Sequence, residues 1–183
     1  KHPPRYDRTC LKLSLEEVNQ HLSEGKLFVW RFKVPTSGTI TLKELSRGNM
    51  DFELHNFSDF PVTRSDATFT FIFANAVDDM KMNITHVLRG EDHLSNTVHQ
   101  ALLIEAFGGT VPYYWHLPIL CNVEGKKLSK RDFGFSLNDL RNAGYLPEAI
   151  LNYLAIIGGS FAQEVMSKDE LLGALDFDTI KTT

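Results

Sequence analysis

A chain of 183 residues, 43% hydrophobic and 23% charged, is long enough for one domain or two small ones and apolar enough to bury a core. Its formal net charge of -4 excludes a surface that is basic throughout, so any site for a polyanion must be local. No run of about eighteen apolar residues crosses a membrane, no signal peptide opens the polar KHPPRYDRTC, and Cys10 and Cys121 have neither metal-knuckle nor disulfide-framework spacing. These features predict a cytosolic protein with two free thiols.

Lys1 stands where a methionine is expected and the last residues look cut, so the chain reads as a piece of a longer protein. Ser14 to Glu24 carry a capping-box pair, Ser14 and Glu17, and stop at Gly25, which predicts a short helix. The period then changes. Leu27 to Val34 (LFVWRFKV), TITLKEL and MDFEL, with a Pro35 to Gly38 turn, predict an antiparallel meander. TFTFIFANAV is expected to continue as a strand, Asp78-Asp79 to form a solvated turn, and Ile84 to Leu88 to be a buried strand. After it, Leu94, Val98, Leu102 and Ala106 recur at four-residue steps and close on Gly108-Gly109, the pattern of a helix. Leu117 to Val123 (LPILCNV) completes a β-α-β unit with a parallel sheet, whose ligands gather at the carboxyl ends of the strands. Farther on, one helix is expected to end near Gly144. Another starts at Pro147 with Ile150, Leu151, Leu154 and Ile157 inward, and a short one follows Met166.

Between Gly125 and Gly134 the segment GKKLSKRDFG packs four cations into a stretch without apolar periodicity. It predicts a basic loop rather than a helix face, and such a loop suits an anion. VLRGEDHLSNT, GKKLSKRDFG and GYLPEAILNYLAIIG together resemble the second half of the catalytic domain of glutamyl-tRNA synthetases, class I enzymes with a Rossmann fold. The resemblance is dense from about Phe52 to Gly158. It is looser from Arg5 to Leu54, where RYDRTC and WRFKV are similar to the family's inserted acceptor-binding subdomain. It implies an α/β fold: the second half of a Rossmann-type parallel sheet, a mixed α+β inserted subdomain and a short helical C-terminal part. The implied divisions are 1–66, 67–135 and 136–183.

The same resemblance implies the site. KLSKR, Lys127 to Arg131, is similar to the signature loop of class I enzymes. Lys130 and Lys127 would act on the charge that builds when a carboxylate attacks the α-phosphate of ATP. Leu128, Ser129 and Arg131 would help hold ATP. A plain surface turn is the competing reading. Arg89 is implied to fork onto the side-chain carboxylate of glutamate, because the glutamate enzymes place arginine here and the related glutamine enzymes do not. A structural salt bridge to Glu91 or Asp92 is its alternative. Asn75 corresponds to a residue that contacts the amino acid. Phe71 corresponds to one usually tyrosine, and its missing hydroxyl is replaced by water or costs about 1 kcal/mol of binding. Ordinary strand packing is the alternative for both. Asp92 and His93 either attract phosphate or sugar oxygens at the start of the next helix or merely cap it. His86, His99 and His116 are read as packing or surface residues with no catalytic partner nearby.

ATP would bring its own Mg²⁺. Some family members hold zinc through a C-x-H pair at Cys10, but residue 12 is Lys12, so no zinc is expected. No HIGH-type histidine motif occurs among the 183 residues. The resemblance therefore implies part of a monomeric glutamate–tRNA ligase with tRNA(Glu), glutamate and ATP as partners and no membrane. Bacterial cytoplasm is the default setting and a mitochondrial matrix the alternative. A stand-alone tRNA-binding module, or a truncated paralogue that glutamylates a modified tRNA base, are the rival functions.

Overall fold

The structure, a computed structural model, describes residues 5–122, 124–128, 136–158, 161 and 163–176. The chain forms two compact units. The first comprises Lys1–Leu42, Asn49–Thr85 and Ser95–Pro112, and the second Lys43–Gly48, His86–Leu94 and Tyr113–Thr183.

In the first unit, α1 (Leu15–Ser23) forms where the capping box predicts it. Ser14 Oγ accepts the Glu17 N–H, and the Glu17 carboxylate accepts the Ser14 N–H at 2.7 Å. The meander does not form as expected. β1 is only Arg31–Phe32 and pairs antiparallel with β4 (Phe60–Pro61), setting the Phe32 and Phe60 rings 5.3 Å apart. The reason lies in Asp59, which is buried. Its carboxylate takes the Val34 N–H at 2.9 Å and the Arg8 guanidinium at 2.6 and 2.8 Å, so the amide that would extend the ladder is used by a side chain. β2 (Thr39–Glu44) and β3 (Gly48–Glu53) are neighbours, with Thr41 Oγ1 donating to Asp51 at 2.7 Å. Ile40 and Leu42 point inward from β2 as its alternation requires.

The TFTFIFANAV segment is a helix, α2 (Phe71–Lys81), and not a strand; Asp78 and Asp79 lie within its last turns rather than in a connecting turn. Aromatic and β-branched residues favour a strand locally, but Ile72, Phe73, Ala76 and Met80 share a helical stripe that packs on the core. Burial of that stripe overrides propensity. α3 (Leu94–Ala106) supplies Val98, Ala101, Leu102, Leu103 and Ile104 to the same core, each no more than 5% exposed. A fully buried aliphatic side chain stabilises by about 1.5 to 3 kcal/mol, so α3 anchors this unit. α2 and α3 come close at Gly109, where a Cβ would fall 2.9 Å from the Met80 side chain.

In the second unit, β5 (His86–Gly90) and β6 (Tyr113–Leu117) pair in parallel, with Arg89 opposite His116 and Gly90 opposite Leu117. The parallel pair joined by α3 is the expected β-α-β unit. Its second strand is displaced toward the N-terminus from the expected Leu117–Val123. β5 likewise runs two residues later than expected, and Leu88 is exposed. The tip of β2 joins on the other side of β6: Glu44 pairs with Tyr114, and the Leu45 N–H reaches the Tyr114 carbonyl at 2.8 Å. After residue 135 come α4 (Leu137–Asn142), α5 (Pro147–Gly158) and α6 (Lys168–Ala174). α4 and α6 carry capping boxes, Ser136 with Asp139 and Ser167 with Glu170. α5 starts at Pro147 as expected, but Leu151 and Leu154 of its inner face are still 42% and 44% exposed, lining a groove with Trp115 and Leu171.

Candidate active site

β5 ends at Arg89-Gly90 and the chain turns at once into a 3₁₀ turn, Glu91–His93, that leads into α3. A Cβ at Gly90 would lie 2.6 Å from Asp92 Oδ1, so a side chain there would make the Asp92 carboxylate move. Parallel pairing with β6 sets Arg89 beside His116, at the carboxyl end of the strand pair where ligands of parallel sheets collect. Arg89 Nε lies 3.4 Å from His116 Nε2, one Nη donates to the His93 carbonyl at 3.4 Å, and the guanidinium stands 5.4 Å from the centre of the Tyr114 ring. The carboxylates considered as its structural partners hold other cations: Glu91 pairs with Arg47 at 2.9 Å, and Asp92 with Lys127.

Lys127 arrives by a small hairpin. The Leu128 N–H donates to the Leu120 carbonyl and the Asn122 N–H to the Lys126 carbonyl, each at 2.8 Å. Asn122 Oδ1 takes the N–H groups of Glu124 and Lys126, and Gly125 turns with φ 75°. These contacts of residues 120–122 and 124–128 replace the expected end of the LPILCNV strand, whose Val123 lies outside the described residues. The asparagine folds the chain back on itself, and the return leg carries Lys127 to Asp92. The hydrogen bond from Lys127 holds the Asp92 carboxyl below its ordinary range, against the opposing effect of desolvation.

Arg89, Asp92, His93, Lys127 and Leu128 therefore all belong to the second unit. Phe71 and Asn75 lie on α2 of the first unit, so their packing is that of a helix, not of a strand. Asn75 there holds Gln100 through its side-chain oxygen and faces Asp79 at 3.5 Å. Ser129, Lys130 and Arg131 lie outside the described residues. Among the described residues, no group of three His, Cys, Asp or Glu side chains is arranged to hold a metal, and no helix is long and apolar enough to cross a membrane. Cys10 and Cys121 are free and exposed.

Residues 1–181 match the family described as the class I (E and Q) tRNA synthetase catalytic domain. The chain belongs to that family. It is 45% identical over 91% of its length to glutamate–tRNA ligase 2 of Alkalilimnicola ehrlichii, and 41% identical over 96% to the glutamate–tRNA ligase of Hydrogenobaculum sp.. It spans 35% and 39% of those two proteins. The crystal structure of glutamate-tRNA synthetase from Elizabethkingia anophelis superposes with a TM-score of 0.81 at 36% identity, covering 94% of this chain and 39% of that one. As in these class I synthetases, the fold is a Rossmann-type α/β catalytic domain. Its parallel β5–β6 pair carries the Arg89 edge.

Two residues of this synthetase domain escape a reading of the sequence. His116, read as a packing or surface histidine with no catalytic partner nearby, is fully buried between Arg89 and Glu44, and its backbone N–H donates to Glu44 Oε1 at 2.7 Å. Glu44 is 4% exposed. A glutamate at the end of an alternating strand looks like an ordinary solvated position, and its partner is 72 residues away. The visible hint is a charged residue in the inward register of Ile40 and Leu42.

Proposed function

We propose that this chain is part of a glutamate–tRNA ligase, in which a glutamate carboxylate attacks the α-phosphate of ATP and the glutamyl group then passes to the 3' end of tRNA(Glu). The observation that carries the reading is the Arg89 guanidinium at the carboxyl end of β5, three residues before the Asp92 carboxylate that holds Lys127 of KLSKR. Arg89 binds the side-chain carboxylate of glutamate, with Asn75 and Phe71 as further contacts to the amino acid. Attack on phosphorus expels pyrophosphate, which leaves with Mg²⁺. Lys130 and Lys127 neutralise the charge that builds on its oxygens. Asp92, His93, Leu128, Ser129 and Arg131 line the ATP side. Residues 1–66 serve as the acceptor-binding insertion, 67–135 as the second catalytic half, and 136–183 contact the tRNA stem. The protein acts in the cytoplasm as a monomer.

The test is ATP–pyrophosphate exchange by the gene product that carries this chain, with glutamate and tRNA(Glu) supplied. Exchange that depends on glutamate and on the tRNA is the expected result, and exchange supported equally by glutamine would overturn the reading. Residues 1–183 by themselves contain no HIGH-type histidine motif, and are expected to exchange close to background, because effects within one catalytic constellation are far from additive.

A further inference from the structure

We infer that Glu44 is a positioning residue, which fixes the tautomer of His116 and through it the aim of the Arg89 guanidinium. The inference rests on the reading of Arg89 as the carboxylate-binding residue and adds the device that orients it.

Glu44 sits at the tip of β2, with donors on both of its oxygens. Oε2 accepts from the Ser46 N–H and Oγ–H at 2.7 Å each and from the Arg47 N–H at 2.8 Å. Oε1 accepts the His116 N–H at 2.7 Å and lies 3.6 Å from Nδ1 of the same residue. Burial pushes the Glu44 carboxyl upward, but these hydrogen bonds outweigh it and hold the group below its ordinary value, so it is an anion. Beside that anion, the one proton of a neutral imidazole belongs on Nδ1. Nε2 then offers a lone pair to Arg89 Nε, which can only donate. With the proton on Nε2 instead, two N–H groups would face each other at 3.4 Å. Burial, aided by the Arg89 cation, pushes the His116 value down against the pull of Glu44, which keeps the ring neutral as this arrangement needs. The His93 carbonyl anchors the guanidinium a second time.

Glu44→Gln inverts this logic in a side chain of nearly the same shape, at the cost of the hydrogen bond from the His116 backbone N–H, which an amide nitrogen cannot accept. The amide oxygen must face the three donors at the Oε2 position, which leaves its NH₂ toward His116. That group donates to Nδ1, demands the proton at Nε2, and turns an N–H against Arg89. His116→Gln is the complement: an amide oxygen accepts from Arg89 without regard to Glu44.

The experiment measures KM for glutamate and for ATP in tRNA-dependent pyrophosphate exchange, for the gene product carrying this chain and its Glu44→Gln, His116→Gln, double and Arg89→Lys variants. It is paired with ¹⁵N spectra of histidine-labelled protein, in which the His116 signal is identified by its loss in His116→Gln. We expect Nδ1–H in the wild type and Nε2–H in Glu44→Gln. KM for glutamate should rise about tenfold with KM for ATP little changed, since a lost charged hydrogen bond is worth about that factor. Adding Glu44→Gln to His116→Gln should raise KM for glutamate by no more than about twofold, the mark of two residues acting in series. Equal rises in both backgrounds, or in both substrates, overturn the inference. So does a wild-type His116 protonated at Nε2, an outcome that needs no variant to fold. If Arg89→Lys leaves KM for glutamate unchanged, it is the carboxylate reading that fails, and the tautomer spectra decide the positioning role alone.

Discussion

Lys127 meets Asp92 across 35 residues of sequence, which ties the basic loop to the end of the strand that carries Arg89. Breaking that tie should loosen the loop without unfolding the protein. Both partners are substantially exposed, with side chains 59% and 34% accessible, so the pair adds little to stability in water. Asp92→Asn is therefore expected to melt close to the wild type while KM for ATP rises several-fold, as read by a thermal melt and by exchange kinetics. The sign with pH follows from the depressed Asp92 value. The pair is fully formed above the ordinary carboxyl range and is lost as pH falls through the folded-state value, so at acidic pH the variant and the wild type converge.

Arg89→Lys keeps the charge and removes the fork. A lysine cannot make two parallel hydrogen bonds to a carboxylate, so affinity for glutamate should fall by about tenfold or more while ATP affinity stays nearly constant. Equilibrium titration with each substrate separates the two. A loss confined to ATP would assign Arg89 to the nucleotide.

Lys130→Ala, tested in the gene product that carries this chain, is expected to slow glutamyl-adenylate formation by about a hundredfold or more, the scale for removing one preorganised donor to a transition state. Ground-state binding should change far less. Rapid-quench measurement at saturating ATP checks the step, and an unchanged rate removes Lys130 from the chemistry.

His99 offers a test of the first unit. Its ring lies 4.4 Å from that of Phe60 and 5.7 Å from that of Phe57, and burial pushes its pKa down. The unfolded chain then binds the proton more readily than the folded one, so stability should fall as pH drops below about 6.5, the usual histidine value. His99→Leu is expected to flatten that slope. Urea unfolding at pH 7.5 and 5.5, followed in both proteins, gives the comparison, and an unchanged slope would mean that His99 titrates freely in the folded state.

By itself the sequence determined what local chemistry decides. Ser14 with Glu17 starts α1, Pro147 starts α5, and the four-residue step from Leu94 to Leu102 makes α3, because each depends on groups within a turn or two of one another. Tertiary structure decided what depends on partners. α2 is a helix because Ile72, Phe73, Ala76 and Met80 find a core to cover, although their types favour a strand. β1 stops after two residues because the Asp59 carboxylate takes the Val34 amide. Glu44 and His116 join the Arg89 edge only because β2 and β5 flank β6 in one sheet, bringing groups 72 residues apart into contact. A buried carboxylate needs hydrogen-bond donors, and a linear sequence does not say which distant groups will supply them.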